Sequence, residues 1–192
     1  MAITFDASRK IFKLDTPSTS YAFAVHEAGY LFHLYYGAYL PDDNLLSMLD
    51  RGMFSSFCPD FPHYVATGVS PDVTPSEYSV AGTGDFRVSA LQIRNKNGDV
   101  STDIRYVSHR ILEKKPALCG MPALRDENGD SETLEVTTRD AVTGAVVKLY
   151  YSVYQDMPVM TRSVVVENDS DAAMDLERVY SACLELPTIY SV

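Results

Sequence analysis

Glu132-Thr133-Leu134-Glu135-Val136-Thr137-Thr138-Arg139 is followed, across Thr143-Gly144, by Val146-Val147-Lys148-Leu149-Tyr150-Tyr151-Ser152-Val153-Tyr154. Both runs are rich in β-branched and aromatic residues, and a turn dipeptide separates them, which predicts two paired strands. Outward from this pair the pattern repeats. Residues 159–167 and 174–185 read as further strands, with Asp156-Met157-Pro158 and Asn168-Asp169-Ser170-Asp171 marking the turns between. Strand follows strand with no βαβ alternation. The expected fold is all-β, an antiparallel β-sandwich.

Working toward the N-terminus, residues 85–93 and 100–111 flank Asn97-Gly98 and are expected to form a hairpin. Ahead of them stands a polar, glycine-marked segment, Gly82-Thr83-Gly84-Asp85-Phe86-Arg87. The pairs Asp85/Arg87 and Asp103/Arg105 have a spacing of two, so each lies on one face of its strand and reads best as a salt-bridge lattice pinning loop to sheet. Residues 5–14 suggest one short strand. Residues 20–26 and 30–36 form a hairpin about Glu27-Ala28-Gly29. Residues 41–50 are the one helical candidate, started by Asp42 and Asp43 and carrying Leu45, Met48 and Leu49, within an allowance of at most one or two short helices. Residues 51–76 and 114–130 show no period and are expected to be long loops, which are more often functional than idle.

Composition narrows the function classes. A formal net charge of −10, with adjacent basic pairs only at Arg9-Lys10 and Lys114-Lys115, argues against nucleic acid and anionic membrane as partners. Cys58, Cys119 and Cys183 are an odd number without paired spacing, which suits free thiols and a reducing compartment. No basic region followed by an apolar run opens the chain, and no apolar run could span a bilayer. The expected location is cytoplasmic. His26, His33, His63 and His109 have no Cys or His partner at ligand spacing, so neither a metal nor a cofactor is expected. A glycosidase needs two carboxylates roughly 5–10 Å apart. Asp42, Asp43, Asp50, Asp60, Asp72, Glu77 and Asp85 are candidates by type, and sequence alone does not bring any two together.

A series of stretches points further. Phe12-Lys13-Leu14, Thr19-Ser20-Tyr21-Ala22-Phe23, residues 29–37, Leu49-Asp50-Arg51 and Ser76-Glu77-Tyr78 come first. Gly82-Thr83-Gly84-Asp85-Phe86-Arg87, Asp103-Ile104-Arg105-Tyr106, Ser108-His109-Arg110-Ile111, Lys115-Pro116, Gly120-Met121-Pro122-Ala123, residues 132–135 and Thr161-Arg162-Ser163 continue it. In this order and spacing the chain resembles the N-terminal domain of the bacterial α-galactosidases of glycoside hydrolase family 36.

The resemblance implies a parent enzyme hydrolysing terminal α-galactosides of the raffinose and melibiose type by a retaining double displacement. Both catalytic aspartates of the family lie in a central (β/α)₈ barrel, and this chain holds no βα repeats. Residues 1–192 are therefore expected to form an incomplete N-terminal β-sandwich, with barrel and C-terminal β domain outside the chain. No catalytic residue and no hydrolase activity are expected of it alone. In the family's homo-oligomers a loop of this domain enters a neighbouring subunit's pocket, where the Asp of a Leu-Asp-Arg segment binds galactose. That position here is Asp50, with Arg51, Phe54 and Phe57 as further contacts at the pocket rim. On the residues alone, Asp50 simply ends the short helix. After it, Gly52-Met53-Phe54-Ser55-Ser56-Phe57-Cys58-Pro59 departs from the family's usual Phe-Ser-Pro-Asn-Pro-like run. Two other functions fit the chain: a stand-alone carbohydrate- or protein-binding β-sandwich module, and the N-terminal domain of an N-acetylgalactosaminidase.

Overall fold

Ten strands are formed among the described residues. A computed structural model describes residues 2–41, 44–49, 61–84 and 87–185, the side chains of 61–63 excepted. The first sheet is β1 (Ile3–Asp6), β2 (Ile11–Asp15), β3 (Thr19–Val25) and β4 (Leu31–Ala38), antiparallel and in chain order. The stretch expected as one strand from residue 5 to 14 is two. Asp6 breaks it, because its carboxylate accepts the backbone N–H of Ser8 (2.8 Å) and Arg9 (3.0 Å), an Asx turn that reverses the chain. The hairpin about Glu27-Ala28-Gly29 forms as expected, with Gly29 at φ +87°.

The second sheet is β6 (Ile104–Leu112), β7 (Ser131–Asp140), β8 (Ala145–Tyr154) and β9 (Met160–Asn168), again antiparallel and in order. The fourth expected strand, β10 (Met174–Val179), leaves this sheet and pairs with β5 (Leu91–Asn95) in a separate two-stranded ladder. The Asn97-Gly98 hairpin is thereby corrected. Its turn exists, since Gly98 N donates to Asn95 O and Asn95 N to Asp99 O. The limbs then part. Thr102 N donates to Ala81 O at 2.6 Å and Asp103 N to the Asp140 carboxylate at 2.9 Å, which swings β6 onto β7. A turn dipeptide fixes only its own few residues, whereas the longer β6–β7 ladder supplies more hydrogen bonds.

The core lies between the two four-stranded sheets. Phe12, Tyr21 and Phe23 from one side meet Leu134, Val136, Val147, Leu149 and Tyr151 from the other, all buried, with the Phe23 and Tyr151 rings stacked at 5.1 Å. Among the described residues of 41–50, Leu45–Met48 form a 3-10 turn without a side-chain cap at Asn44; Asp42, Asp43 and Asp50 lie outside the described residues. Only Leu45 of that turn is buried while Leu46 and Met48 are exposed, so the apolar stripe is too narrow to hold a longer helix. The long loop expected from 51 to 76 contains a helix, α1 (Phe61–Thr67). Pro62 suits its first turn, and Gly68, at φ +70° with its N–H on Tyr64 O, closes it.

Candidate functional site

The described residues that flank the segment expected to carry the substrate contacts pack on the outer face of the first sheet. Strand alternation turns Ile11, Ala22, Ala24 and Leu34 away from the core, and Leu45 closes over them. Leu49, the residue before Asp50, packs against this cluster and also against the Tyr30, Phe32 and Val69 cluster. A polar chain fastens the outgoing limb. The nearly buried Lys13 ammonium donates to Asp15 (2.8 Å), Ser20 Oγ donates to Asp15 (2.6 Å), and Leu40 N donates to Ser20 Oγ (3.0 Å).

The returning limb is fastened as firmly. His26 Nε2 and Thr67 Oγ1 are 3.2 Å apart, His33 N donates to Pro75 O at 2.9 Å, and Glu77 N donates to Leu31 O at 3.0 Å. Both ends of the segment are thus placed on one sheet face. Asp50, Arg51, Phe54 and Phe57, with Cys58, lie outside the described residues.

At the end of the returning limb stands a cluster that sequence reasoning left unassembled. The carboxylate of Glu77, with no solvent exposure, sits between the sheets. It accepts the one proton of the Tyr21 hydroxyl, which lies 2.6 and 2.7 Å from its two oxygens, and that of the Tyr151 hydroxyl (2.9 Å), and pairs with Arg162 at 3.1 Å. His33 Nδ1 is 3.2 Å from Oε2; facing an acceptor-only carboxylate, it is the donor. Burial pushes the Glu77 carboxyl up, but the Arg162 guanidinium and the His33 and Tyr21 hydrogen bonds outweigh this and hold it below the ordinary carboxylate value. Burial first, and Glu77 beside them, drive the Tyr21 and Tyr151 hydroxyls far above theirs. Residues from β3, β4, β8, β9 and the returning limb therefore meet at one ion pair. With its oxygens filled and no route to a sugar, Glu77 is a lock between sheets rather than a general acid.

A signal for this lock was present in the sequence. Alternation along residues 159–167 puts Arg162 on the same strand face as Val164 and Val166, and an arginine on an apolar face demands a buried anion.

The two Asp/Arg pairs serve as the expected lattice in one case. Arg105 forks onto Asp103 (2.7 Å), reaches Ala28 O (2.7 Å) and Tyr30 Oη (2.5 Å), and lies 3.6 Å over the Tyr30 ring, tying β6 to the β3–β4 turn. Arg87 spans the Pro71 and Thr74 carbonyls at 3.0 and 3.1 Å and pairs with Glu185; its expected partner Asp85 lies outside the described residues. Of the other candidate acids, Asp72 accepts a hydrogen bond from Ser70, while Asp42, Asp43 and Asp60 lie outside the described residues. Among the described residues, no group of three or more His, Cys, Asp or Glu could hold a metal ion, and no helix is long and apolar enough to cross a membrane.

Two facing antiparallel sheets, with the described residues on either side of 50–60 packed on an outer face, define a β-sandwich domain. The family model for the glycosyl hydrolase family 36 N-terminal domain matches residues 29–191, and the chain belongs to that family. It is 35% identical over 187 residues to the bifunctional α-galactosidase/sucrose kinase AgaSK of Mediterraneibacter gnavus, covering 96% of this chain and 20% of that protein. The solved galactosidase domain of AgaSK superposes with a TM-score of 0.88 at 34% identity, covering 95% of this chain and 25% of that one. A family 36 α-galactosidase, AgaA of Geobacillus stearothermophilus, crystallised in complex with raffinose, superposes with a TM-score of 0.81 at 36% identity over 90% of this chain and 24% of its own. The chain thus spans about a quarter or less of the relatives it matches.

Proposed function

We propose that this chain is the N-terminal domain of an α-galactosidase that removes terminal α-galactose from raffinose- and melibiose-type sugars with retention of configuration. The observation that carries the reading is the match to family 36 galactosidase structures along nearly the whole chain, at identities of 34–36%. The catalytic aspartates belong to a barrel beyond this chain, so the domain by itself is without hydrolase activity. Its roles are assembly of a cytoplasmic homo-oligomer and presentation of the segment with Asp50, Arg51, Phe54 and Phe57 to a neighbouring subunit's pocket.

A carboxylate is suited to that task, since Asp50 can accept two sugar hydroxyls at once. Each such charge-assisted bond is worth about 1.5–3 kcal/mol, so Asp50→Ala in the full-length parent is expected to lower kcat/KM on a chromogenic α-galactoside on the order of 100-fold or more. Fold and oligomer should be retained. Unchanged kinetics would make the domain a scaffold. A parent that hydrolyses only the α-N-acetylgalactosaminide would move the assignment to that enzyme class, and an inactive parent would leave a binding module.

A further inference from the structure

Lys13 holds its charge where an apolar side chain would cost less. Strand alternation puts Phe12 and Leu14 in the core and turns Lys13 to the outer face of the first sheet, opposite Ala22. A lysine on an outer sheet face ordinarily lays its stem along the surface and keeps its ammonium in water. This one is 4% exposed. Its Nζ donates to Asp15 Oδ2 at 2.8 Å and lies 5.2 Å from the centre of the Tyr39 ring. Tyr39 is the first residue after β4, so the charge is held where the chain leaves the sheet. Elsewhere on this face Ile11, Ala22, Ala24 and Leu34 are covered by Leu45 with no charge at all. For cohesion alone, another apolar side chain would avoid the desolvation of a cation.

What the charge supplies is direction. Asp15 accepts from Lys13 with one oxygen and from Ser20 Oγ with the other, at 2.6 Å. Ser20 has one hydroxyl proton, and giving it to Asp15 turns its lone pairs toward Leu40, whose N–H it accepts at 3.0 Å. Beside it, Tyr39 N donates to Ser18 O at 2.9 Å. Two successive backbone donors of the limb leaving β4 are thus fixed to the chain between Ser18 and Ser20. Beyond them Leu40, Leu45 and Leu49 adhere to the outer face by apolar contact, which is non-directional and sets no register. We infer that Lys13 is a positioning residue for galactoside binding by the parent enzyme. Its charge orders Asp15, Ser20 and Leu40, and so sets the register of the limb whose last described residue, Leu49, precedes Asp50. The inference rests on the role proposed for Asp50. Buried as it is, Lys13 acts through the limb and not on the sugar.

The test is the kinetics of the full-length parent on a chromogenic α-galactoside. Lys13→Met keeps the length of the side chain and loses the charge. It should raise KM about 10-fold with kcat within about 2-fold of wild type, the mark of lost binding shared by ground and transition states. Lys13→Arg keeps a cation for Asp15 and for the Tyr39 ring, and should return KM to within about 3-fold of wild type. In an Asp50→Ala background Lys13→Met should change kcat/KM by less than about 2-fold, because no carboxylate remains to be misplaced. Lys148→Met, which removes the 2.6 Å pair with Glu167 on the second sheet, should leave KM unchanged. An equal loss with and without Asp50, or an equal loss in Lys148→Met, would mark general damage to the fold and overturn the inference. So would an unchanged KM for Lys13→Met beside a large loss for Asp50→Ala, a result that leaves the proposed function standing. Unchanged kinetics for Asp50→Ala would overturn the proposed function and this inference with it. Should Lys13→Met not fold, Ser20→Ala takes its place, removing only the acceptor of Leu40 N, and the same cycle with Asp50→Ala decides.

Discussion

Removing the charge of Glu77 while keeping its shape should cost the fold a large part of its stability. Glu77→Gln leaves a side chain of the same size, with one oxygen still able to accept from Tyr21 and Tyr151. What it takes away is the counter-charge of Arg162, whose side chain is only 7% exposed. Breaking a buried pair by deleting one partner typically costs about 3–5 kcal/mol, because the surviving charge stays buried and uncompensated. A domain of this size has roughly 5–15 kcal/mol in total, so about a fifth or more of its stability is at stake. At about 2–4 °C per kcal/mol, Tm should fall by roughly 6–20 °C. Urea unfolding followed by circular dichroism measures the loss, and Arg162→Met completes a double-mutant cycle. The double variant should lose less than the two single losses together, by about 1–3 kcal/mol, since the second substitution removes the stranded charge. A loss below about 1 kcal/mol for Glu77→Gln, the size expected of a solvent-exposed pair, would refute the lock.

The same carboxylate should shape the acid limb of stability. Its folded-state pKa lies below the ordinary 4.5, so its contribution is present above that value and disappears as pH falls through the folded value. Wild type should therefore lose stability more steeply than Glu77→Gln below about pH 4.5, and parallel curves in a pH series of urea melts would contradict this. Gly82→Ala should destabilise by about 2–3 kcal/mol or more. Gly82 has φ +125°, and a Cβ there would come within 2.5 Å of Thr102 N and 2.9 Å of Ser101 Cα, displacing the Thr102–Ala81 hydrogen bond that turns the chain toward β6. Gly98→Ala, with positive φ but nothing within 4 Å, should lose only about 1 kcal/mol; equal losses in denaturant melts would show that the contact to Thr102 is immaterial.

Much of the architecture was legible because it rests on local rules. Alternation along residues 132–167 with turns at Thr143-Gly144 and Asp156-Met157-Pro158 is the β7–β8–β9 meander itself. The partners of β5 and β10 were not legible. Residues 91–95 and 174–179 find each other across a gap in sequence that no turn dipeptide bridges, and the Asn97-Gly98 signal, though real, pointed to the wrong strand. The helix α1 was missed because seven residues within a Pro-, Ser- and Phe-rich stretch show too little period to register. For the candidate site, sequence supplied Asp50 and its neighbours through a resemblance. The structure supplied the fastening of the limbs on either side, through Leu49, Ser20 and His33.

By itself, then, the order of residues determined an antiparallel β domain and its family. Patterning with period two, turn chemistry and motif order are properties of neighbours along the chain. Tertiary structure alone decided that Tyr21, His33, Glu77, Tyr151 and Arg162, spread over more than a hundred residues, share one buried ion pair. It also decided that Met121 and Leu124, in the uncharged stretch 117–124, stand in solvent and not in the core. The physical reason is the same in both cases. Whether a charge is paired or an apolar side chain covered depends on what the rest of the fold brings within a few ångströms, and separation along the chain does not fix that distance.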